Sequence, residues 1–400
     1  MQKPVLFAAI LGLIGVSLAG FSARGGIDGQ GVQYLLGALI GGFAGFALYH
    51  AAFGFTAAWR RMTRERRGAG LRAQMILFAI TCGVTYLLIG YEDVTGWNMH
   101  PVVMPMGLSS ALGAFVFGIG MQMGGGCASG TLFTTGGGSS RMLIVLLFFV
   151  LGSVWATLHI PEFWRELPTI TGIPNLPQTS LIAELGPIGA VFALFAFCGA
   201  VILVSRWVEI TAHGSLEPRR ETGSILTGPW SLILGAVGLA IVGVLCFVVF
   251  ARPWGVTAGF AVWGANLLYA TGVPVDEWTY WQGWRANVLE GSVFAHRTSL
   301  MNFGIVFGAM AAAALAGRFS PTLSLSRRDV ITAIIGGLMM GYGARLSHGC
   351  NIGAYLGGIA SGSLHGWWWL VWGFAGSLVG TRLRRVLDMD PPLASRRAAV

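Results

Sequence analysis

Apolar stretches long enough to cross a lipid bilayer recur along the whole chain of 400 residues. A membrane-spanning helix needs about 20 mostly apolar residues, with a lower limit of about 17. Stretches near or above this limit lie at residues 4–21, 33–58, 71–90, 107–123, 142–158, 181–205, 228–250, 298–317, 330–346 and 367–383. A shorter stretch, 255–271, is expected to be re-entrant. The pattern predicts an all-α integral membrane protein with about ten membrane segments, some of them interrupted, in contact with the lipid bilayer.

The composition agrees with a membrane protein and excludes several other classes. Hydrophobic residues make up 54% of the chain and charged residues only 10%, whereas soluble domains carry about 25% charged residues. Basic residues do not alternate with aromatic ones, so nucleic acid is not an expected partner. The five cysteines form no C-x-x-C pair, and GGGSS at residues 136–140 lacks the G-K-[ST] of a phosphate-binding loop. No metal and no other cofactor are predicted.

The positive-inside rule orients the predicted spans. Arginines cluster in four regions that alternate correctly between spans, at residues 60–72, 206–220, 318–328 and 382–397, while acidic residues collect on the opposite side. Both termini are therefore predicted to be cytoplasmic. The first stretch also resembles a secretory signal peptide, with Lys3 before it and Ser17-Leu18-Ala19 near its end, but its 18 apolar residues favour a retained span.

A glycine–cysteine motif occurs twice. Residues 118–130 read GIGMQMGGGCASG and residues 341–353 read GYGARLSHGCNIG, and both fit G-x-G-x5-G-C-x2-G at a constant offset of 223 residues. Under the predicted topology the two copies run in opposite directions, as in transporters whose substrate site lies between inverted repeats. We therefore predict an inverted internal repeat, with residues 1–205 as the first repeat, 206–227 as a cytoplasmic linker, 228–386 as the second repeat and 387–400 as a cytoplasmic tail.

Each copy of the motif is expected to break a helix and to form part of an anion site. Irregular backbone at membrane depth is tolerated only where it is buried in protein or lines a cavity. After each cysteine the helix is expected to restart, with Ser129 or Thr131 as N-cap in the first copy and Asn351 in the second. Free backbone N–H groups and the positive helix end would then face an anion. The other backbone positions of this predicted site are Gly126, Gly130 and Gly349.

Two polar residues of the second copy are further candidates. Arg345 lies five residues before Cys350 inside an apolar stretch, where an ionisable residue is a functional candidate by default. The alternative is a structural salt bridge or a side chain that reaches the membrane surface. His348 could act on the neighbouring thiol or donate a hydrogen bond to an anion. The alternative is a polar loop residue that is bonded to the backbone.

The chemistry of Cys127 and Cys350 points to a soft substrate. A thiol is a weak donor and a polarisable acceptor, which suits a sulfur atom better than a hard anion such as phosphate. A free cysteine can also be a small buried apolar residue. That second interpretation is expected for Cys82, Cys198 and Cys246, each of which lies in a plain apolar run.

At these residues the sequence resembles the YeeE/YedE family of sulfur-compound transporters. The resemblance rests on GMQMGGGCASGTLF (120–133), RPWGVTAGFAVWGANL (252–267) and GYGARLSHGCNIGAYLGGIASGSLHGW (341–367). It implies a bacterial inner-membrane protein in which helix–loop–helix elements meet at an hourglass-like central constriction. It also implies that cysteine thiols, among them Cys127 and Cys350, guide thiosulfate to the cytoplasm, where a small sulfur-carrier protein could receive the sulfur.

The chain departs from the family pattern at one cysteine position. A third family cysteine usually lies in an F-C-F-like stretch, and here the corresponding stretch is Phe53-Gly54-Phe55. The missing thiol at Gly54 leaves open whether the substrate is thiosulfate or a related sulfur or selenium species. Arg252, in the family-like RPWG stretch, is interpreted as facing the conducting path or, alternatively, as an interfacial anchor.

Three function classes follow from these observations. The leading hypothesis is import of a small sulfur oxyanion, and the chain is not expected to be an enzyme. The second is a membrane-embedded sulfurtransferase that forms a persulfide on Cys127 or Cys350. The third is a structural membrane subunit, with no cavity behind the glycine loops.

Overall fold

The computed structural model describes residues 1–321 and 324–390, and these residues are almost entirely helical. Within them, extended segments pair only as isolated bridges. Residues 391–400 of the predicted cytoplasmic tail lie outside the described part. The longer helices are α1 Lys3–Ala23, α2 Gly31–Ala51, α3 Phe55–Arg60, α4 Ala69–Gly90, α5 Leu108–Gly124, α6 Ala128–Gly136, α7 Ser140–His159, α8 Leu181–His213, α9 Leu232–Phe250, α10 Thr257–Ala270, α11 Arg297–Leu315, α12 Arg327–Leu346 and α13 Leu364–Val386.

Shorter helical pieces extend or connect these helices. A π-helical turn, Arg61–Glu65, continues α3, and another, Ile160–Trp164, continues α7. Residues 351–360 follow α12 as the π-helical turn Asn351–Leu356 and the helix Gly357–Ala360. Helix α8 kinks at Gly186, where φ is 70° and Pro187 follows.

Nine helices in the described part of the chain are long and apolar enough to cross a membrane. The prediction of an all-α, multi-pass membrane protein with interrupted helices is therefore confirmed. Helix α13, of 23 residues, supplies a further long element. The stretch 255–271, expected to be re-entrant, forms α10, whose 14 residues are too few to span a bilayer alone.

Helices from the two parts of the chain pack against each other. Helix α2 lies against α11, and α4 lies against α9. Helix α5 lies against α13, and α12 lies against α7, while α1 and α8 flank α11 and α4, respectively. The two motif-bearing helices, α5 and α12, meet at the centre. The pairs α5–α13 and α7–α12 correspond to each other at the 223-residue offset of the motif. The inverted repeat and its division at residues 206–227 stay predictions.

Glycines of the repeated motif bring α5 and α12 into backbone contact. A Cβ added to Gly343 would lie 2.8 Å from the amide nitrogen of Phe117, and one added to Gly120 would lie 2.9 Å from that of Met340. Real Cβ atoms do not approach other atoms so closely, so only glycine fits at these two positions. The repeated glycines therefore let the two copies of the motif pack directly against each other.

Two other glycines of the motif, Gly118 and Gly341, contact the helices on either side of α5 and α12. A Cβ on Gly118 of α5 would lie 2.7 Å from the amide nitrogen of Ser377 in α13. A Cβ on Gly341 of α12 would lie 2.6 Å from the amide nitrogen of Ser153 in α7. The coincidence of glycines in the two copies therefore reflects the same contacts made twice.

The four arginine-rich regions meet on one face of the molecule, here called the basic face. The contacts that join them are the ion pairs Arg61–Glu217, Arg64–Asp390 and Arg384–Asp390 and the hydrogen bond from Arg328 to the carbonyl oxygen of Asp388. Fully buried Glu209 adds ion pairs to Arg67 and Arg72. These contacts support the predicted sidedness, and the cytoplasmic location of the basic face stays a prediction.

Candidate functional site

Both copies of the motif break the helix directly before the cysteine. Helix α5 ends at Gly124, and Gly125 has φ of 90°, a left-handed conformation that glycine adopts without strain. Helix α12 ends at Leu346, and His348 and Gly349 have φ of 60° and 153°. A non-glycine residue with positive φ, such as His348, is uncommon and is enriched at functional sites.

The cysteines themselves occupy the N-cap positions of the helical segments that follow. Cys127 has extended backbone, and its carbonyl oxygen accepts the N–H of Thr131 at 2.8 Å. Cys350 has the same conformation, and its carbonyl oxygen accepts the N–H of Ala354 at 2.8 Å. The prediction of Ser129, Thr131 and Asn351 as N-caps was wrong, because each helix restarts earlier and these residues lie within the first turn.

The two thiols are buried in the same part of the protein. Cys127 is 1% and Cys350 0% exposed, and α6 packs against the Asn351–Leu356 turn. The Sγ of Cys127 lies 3.5 Å from the Ser129 hydroxyl. The backbone N–H groups of Ile352 and Gly353 lie near Sγ of Cys350, and the thiol makes no capping hydrogen bond to the turn. Each thiol thus lies beside the positive end of a short helical segment.

Glycines lie close to the backbone or the thiol in both cysteine loops. A Cβ on Gly130 would lie 3.6 Å from Sγ of Cys127, and one on Gly126 would lie 3.3 Å from the carbonyl carbon of Gly130. On the other copy, a Cβ on Gly349 would lie 2.7 Å from the amide nitrogen of Ala354. The glycines therefore allow each loop to fold tightly around its cysteine.

Asn351 is the polar side chain that best indicates a ligand at this site. It is 0% exposed, and neither its carboxamide oxygen nor its nitrogen has a hydrogen-bond partner among the described residues. Unsatisfied buried polar groups cost about 1–3 kcal/mol each, and they are rare in native proteins. The carboxamide is therefore suited to binding a polar ligand or water next to Cys350.

Three arginines near one another, Arg252, Arg297 and Arg345, form no salt bridge among the described residues. Arg345 donates from Nη2 to the hydroxyl of Thr257 at 2.9 Å, and its Nε has no partner among the described residues. Arg345 and Arg297 lie within electrostatic range of His296, and Arg252 within that of Arg297. None of the three arginines forms a salt bridge in the described part of the chain. The structural alternative for Arg345, an ion pair, is thus not observed.

Arg297 is a candidate that the sequence reasoning missed. Its guanidinium lies over the ring of Phe250, 5.4 Å from the centroid. It is the first residue of α11 and borders an apolar stretch, which made it resemble an ordinary helix-end residue. Only the tertiary structure brings it beside Arg252, 45 residues earlier in the chain.

His348 lies in the loop between α12 and Cys350, and its side chain is exposed. Its ring centroid lies 5.3 Å from that of His365, whose Nε2 is buried without a partner in the described residues. An exposed imidazole thus lies two residues before Cys350.

Comparison with known proteins places the chain in a family. A model of the family described as sulphur transport matches residues 50–379. The chain belongs to the sulphur transport family. Its similarity to the thiosulfate transporter TsuA of Spirochaeta thermophila is 25% identity over 334 residues, 83% of this chain and 93% of that protein. Its similarity to TsuA of Escherichia coli is 23% identity over 353 residues, 84% of this chain and 90% of that protein.

A second group of relatives matches over a shorter region. The chain is 35% identical to the probable transporter YedE of Escherichia coli over 153 residues, 38% of this chain and 37% of that protein. The chain thus spans little more than a third of the length of the YedE relatives it matches. The description of the family and the names of these relatives are those of transporters, the class that the sequence analysis predicted.

Gly54, where the resemblance placed a third cysteine of the sulphur transport family, lies at another helix break. It separates α2 from α3 in extended conformation, and no atom lies within 4 Å of a Cβ built on it. It lines a small cavity of about 80 Å³ together with Arg61 and Leu232. The next residue, Phe55, contacts the ring of Tyr355 in the segment after Cys350, with centroids 5.9 Å apart. Gly54 therefore lies in a separate recess that borders the cysteine segments.

Proposed function

We propose that the protein imports thiosulfate or a related sulfur oxyanion, passing it from the arginine-lined side to the basic face. One observation carries this proposal. Two buried cysteines occupy the N-cap positions of two short helical segments that pack against each other, and the backbone N–H groups of a first helical turn have no partner within their helix. Such a pair provides positive electrostatic potential for the anion and a soft contact for its sulfur atom.

The proposed path begins at the arginines. Arg252, Arg297 and Arg345 would attract an anion, because no acidic group of the described residues forms a salt bridge with them. Positive charge at one mouth raises the local anion concentration. The exposed His348, two residues before Cys350, would be the next contact after these arginines. The order along the path is therefore charge first and thiol second.

The narrow part of the proposed path lies at the two cysteines. The carboxamide of Asn351 and the N–H groups of Ile352 and Gly353 would bind the oxygen atoms of the anion, while Sγ of Cys350 contacts its outer sulfur. The anion then passes to Cys127, where Ser129 supplies a hydroxyl. Weak S–H contacts suit passage, because strong binding at a single point would slow release.

The wider setting follows from the same proposal. The protein would lie in a bacterial inner membrane with both termini and the basic face in the cytoplasm. The sulfur would be released to a small cytoplasmic sulfur-carrier protein. The division into inverted repeats would place the cysteines near the midplane.

Uptake into proteoliposomes tests the proposal. Purified native protein should take up radiolabelled thiosulfate, and Cys127→Ala and Cys350→Ala should each take up much less. Cys198→Ala, which removes a buried thiol from the plain apolar run of α8, is the matched control and should behave as native. Loss of uptake in the two motif variants with unchanged folding supports the thiol path, and unchanged uptake contradicts it.

The same experiment separates transport from sulfur transfer. A persulfide-forming enzyme would leave covalently bound sulfur on Cys127 or Cys350, visible in the mass of the intact protein after turnover. A path of hydrogen bonds leaves both cysteines unmodified. If thiosulfate, sulfite, sulfate and selenium oxyanions are all excluded from liposomes that contain folded native protein, the import proposal is wrong.

A further inference from the structure

A tight hairpin before α9 presents two large aliphatic side chains on the surface. Residues 222–230 are here called the linker hairpin. Ser224 and Gly228 form the isolated antiparallel bridge that closes its turn, and the Ser224 hydroxyl accepts the N–H of Leu226 at 3.3 Å. At the tip, Ile225 is 67% and Leu226 63% exposed. Two adjacent apolar residues outside the membrane-spanning helices are thus left uncovered by the described part of the chain.

The linker hairpin is fixed to the helices beneath it. Nε1 of the buried Trp230 donates to the carbonyl oxygen of Ile225 at 2.9 Å, and the N–H of Trp230 donates to the carbonyl oxygen of His50 in α2 at 2.9 Å. The hydroxyl of Thr222 accepts the N–H of Ser231, the N-cap of α9, at 3.1 Å. The exposed tip is therefore a defined part of the fold and not the end of a loose loop.

The linker hairpin covers the end of a helix face that otherwise faces lipid. Side chains at intervals of three and four residues share one face of a helix. Four exposed apolar residues of α2 follow this spacing: Val32, Leu36, Leu39 and Phe43. The same spacing continues to Phe46 and His50, whose rings instead pack on Trp230, with centroids 5.7 and 5.8 Å from that of the indole. The hairpin thus lies at the lipid-facing perimeter, where the outward face of α2 ends.

The helix that follows the linker hairpin has an exposed apolar side chain in its first turn. Helix α9 begins at Leu232, and Ile233 is already 40% exposed. Ile241 and Val248, about two and four turns further along the same face, are 46% and 44% exposed. The tip is tied to Trp230, which lies only three residues before Ile233. It therefore lies close to the membrane surface.

Positive charges lie beside the linker hairpin on the basic face. Arg219 and Arg220, just before it, are exposed. Arg318, also exposed, follows α11 and is close enough to His50 for its charge to act on that residue. The exposed Glu221 offsets one of these charges, and none of the three arginines forms a salt bridge in the described ranges 1–321 and 324–390. Apolar side chains flanked by basic ones are typical of segments that bind anionic membrane surfaces.

We propose that the linker hairpin is a membrane-surface anchor. Its two tip residues enter the boundary between headgroups and acyl chains in the leaflet at the basic face, and three neighbouring arginines, Arg219, Arg220 and Arg318, bind the headgroups of anionic phospholipids. Leu232, two residues after the hairpin, lines the cavity at Gly54, so the anchor also holds one wall of that recess in place relative to the bilayer. The anchor does not depend on which substrate is transported.

Depth measurements in liposomes test the anchor. A nitroxide is attached to Ile225→Cys or, as a second position, to Leu226→Cys, in protein reconstituted with phosphatidylcholine and phosphatidylglycerol. The native cysteines are buried, and native protein taken through the same labelling gives the background. Asp388→Cys, exposed on the basic face, is the matched control. We expect the tip nitroxides to collide more often with O₂, which concentrates in lipid, and the control nitroxide to collide more often with a water-soluble nickel chelate.

Two other outcomes overturn the anchor. Tip nitroxides that meet the nickel chelate as often as the control does lie in water and are free for a soluble partner. Tip nitroxides that are shielded from both reagents are covered by protein, which in these liposomes is a second copy of the chain.

Thermal unfolding in lipid nanodiscs tests the headgroup contacts. Replacing phosphatidylcholine by phosphatidylglycerol should stabilise native protein, and the double variant Arg219→Gln, Arg220→Gln should lose most of that added stability. The control with the same charge change is Arg165→Gln, Arg285→Gln, in the segments before α8 and before α11, and it should respond as native does. A native-like response of the first variant would show that Arg219 and Arg220 bind no headgroups. Neither experiment involves transport, so the anchor and the import proposal fail separately.

Discussion

Gln122 and Arg345 occupy the same position in the two copies of the repeated motif, five residues before Cys127 and Cys350. Each reaches the first turn of a short helix. Gln122 donates from Nε2 to the carbonyl oxygen of Thr56 in α3 at 3.1 Å, and Arg345 donates to the hydroxyl of Thr257 in α10 at 2.9 Å. Both copies of the motif therefore keep a hydrogen bond to a threonine in a short helix. The donor is a neutral amide in the first copy and a guanidinium cation in the second.

Substitution of Asn351 should separate binding from folding. Its carboxamide has no partner in the described residues, so Asn351→Ala removes no observed hydrogen bond, and the protein should fold normally. We expect about tenfold slower thiosulfate uptake, the effect of about 1.4 kcal/mol in transit. Asn351→Asp should be slower still, because a negative charge repels the anion. Asn287→Asp, at an exposed position in the short helix Ala286–Glu290, is the control. Equal initial rates for all variants would contradict the role of Asn351.

Gly54 should accept a cysteine where a neighbouring glycine should not. Gly54→Cys would point into open space, whereas a Cβ on Gly70, which lines the same cavity, would lie 2.7 Å from Cβ of Ala58. We expect Gly54→Cys to keep the native thermal midpoint and to be labelled by a small membrane-permeant thiol reagent. Gly70→Cys should unfold at a lower temperature. An unreactive, well-folded Gly54→Cys would show that the recess is closed.

The central helix contact predicts opposite effects for two Gly→Ala changes. Gly343→Ala would drive a methyl group into Phe117 on α5 and should destabilise the protein by about 1–3 kcal/mol, the usual cost of overpacking. Gly199→Ala in α8 meets no atom within 4 Å, and it should be neutral or stabilise by up to about 1 kcal/mol. Thermal midpoints in one detergent measure both, and equal shifts would rule out backbone contact at Gly343.

Arg345 should control the affinity for the anion more than the fold. We expect Arg345→Gln to raise the half-saturating thiosulfate concentration about tenfold, since charge-assisted hydrogen bonds contribute about 1.5–3 kcal/mol. Arg345→Lys should recover part of the loss because it keeps the charge. The matched control is Arg285→Gln. Arg285 lies in the segment between α10 and α11, where it is stacked on Tyr280 and Trp284. If both Gln variants raise the half-saturating thiosulfate concentration equally, the effect comes from the overall positive charge and not from a site at Arg345.

Acid should destabilise the protein through His296. Burial, together with the charges of Arg297, Arg345 and Arg24, lowers the pKa of His296 to about 4, against about 6.5 in an unfolded chain. Between these values the unfolded state binds more protons, so stability falls as the pH drops from about 6.5 towards 4. The ring also caps α11, where it accepts the N–H of Ser299 at 3.3 Å.

His296→Asn tests that dependence. Asparagine is a good N-cap and does not titrate, so the variant should fold and lose less stability on acidification than native. His100→Asn, on an exposed loop, should retain the native pH profile. A native-like acid response of His296→Asn would assign the pH effect to other groups.

The sequence predicted the elements of this fold better than their caps. Long apolar stretches and the glycines before Cys127 and Cys350 indicate both spans and breaks, because bilayer thickness and backbone sterics act locally. The N-caps were placed one to four residues too late. Serine, threonine and asparagine are the usual caps, and no local rule favours the cysteines that occupy these positions.

The contacts that the sequence could not predict join residues that are far apart in the chain. Asp390 meets Arg64 across more than 300 residues of chain, and Arg297 approaches Arg252 only when α11 packs beside the break before α10. Hydropathy carries no information on such pairs. The sequence did identify Arg345, because an ionisable residue inside an apolar stretch stands out locally.

The glycine contact between α5 and α12 limits the motions available to a transport cycle. Where backbone touches backbone, no flexible side chains remain that could rearrange to let one helix slide along the other. The two helices are therefore expected to move as one rigid body that carries both cysteine loops. Passage of an anion would then depend on small displacements of the loops and of the groups at the two mouths, which is closer to a gated pore than to the rocking of two halves.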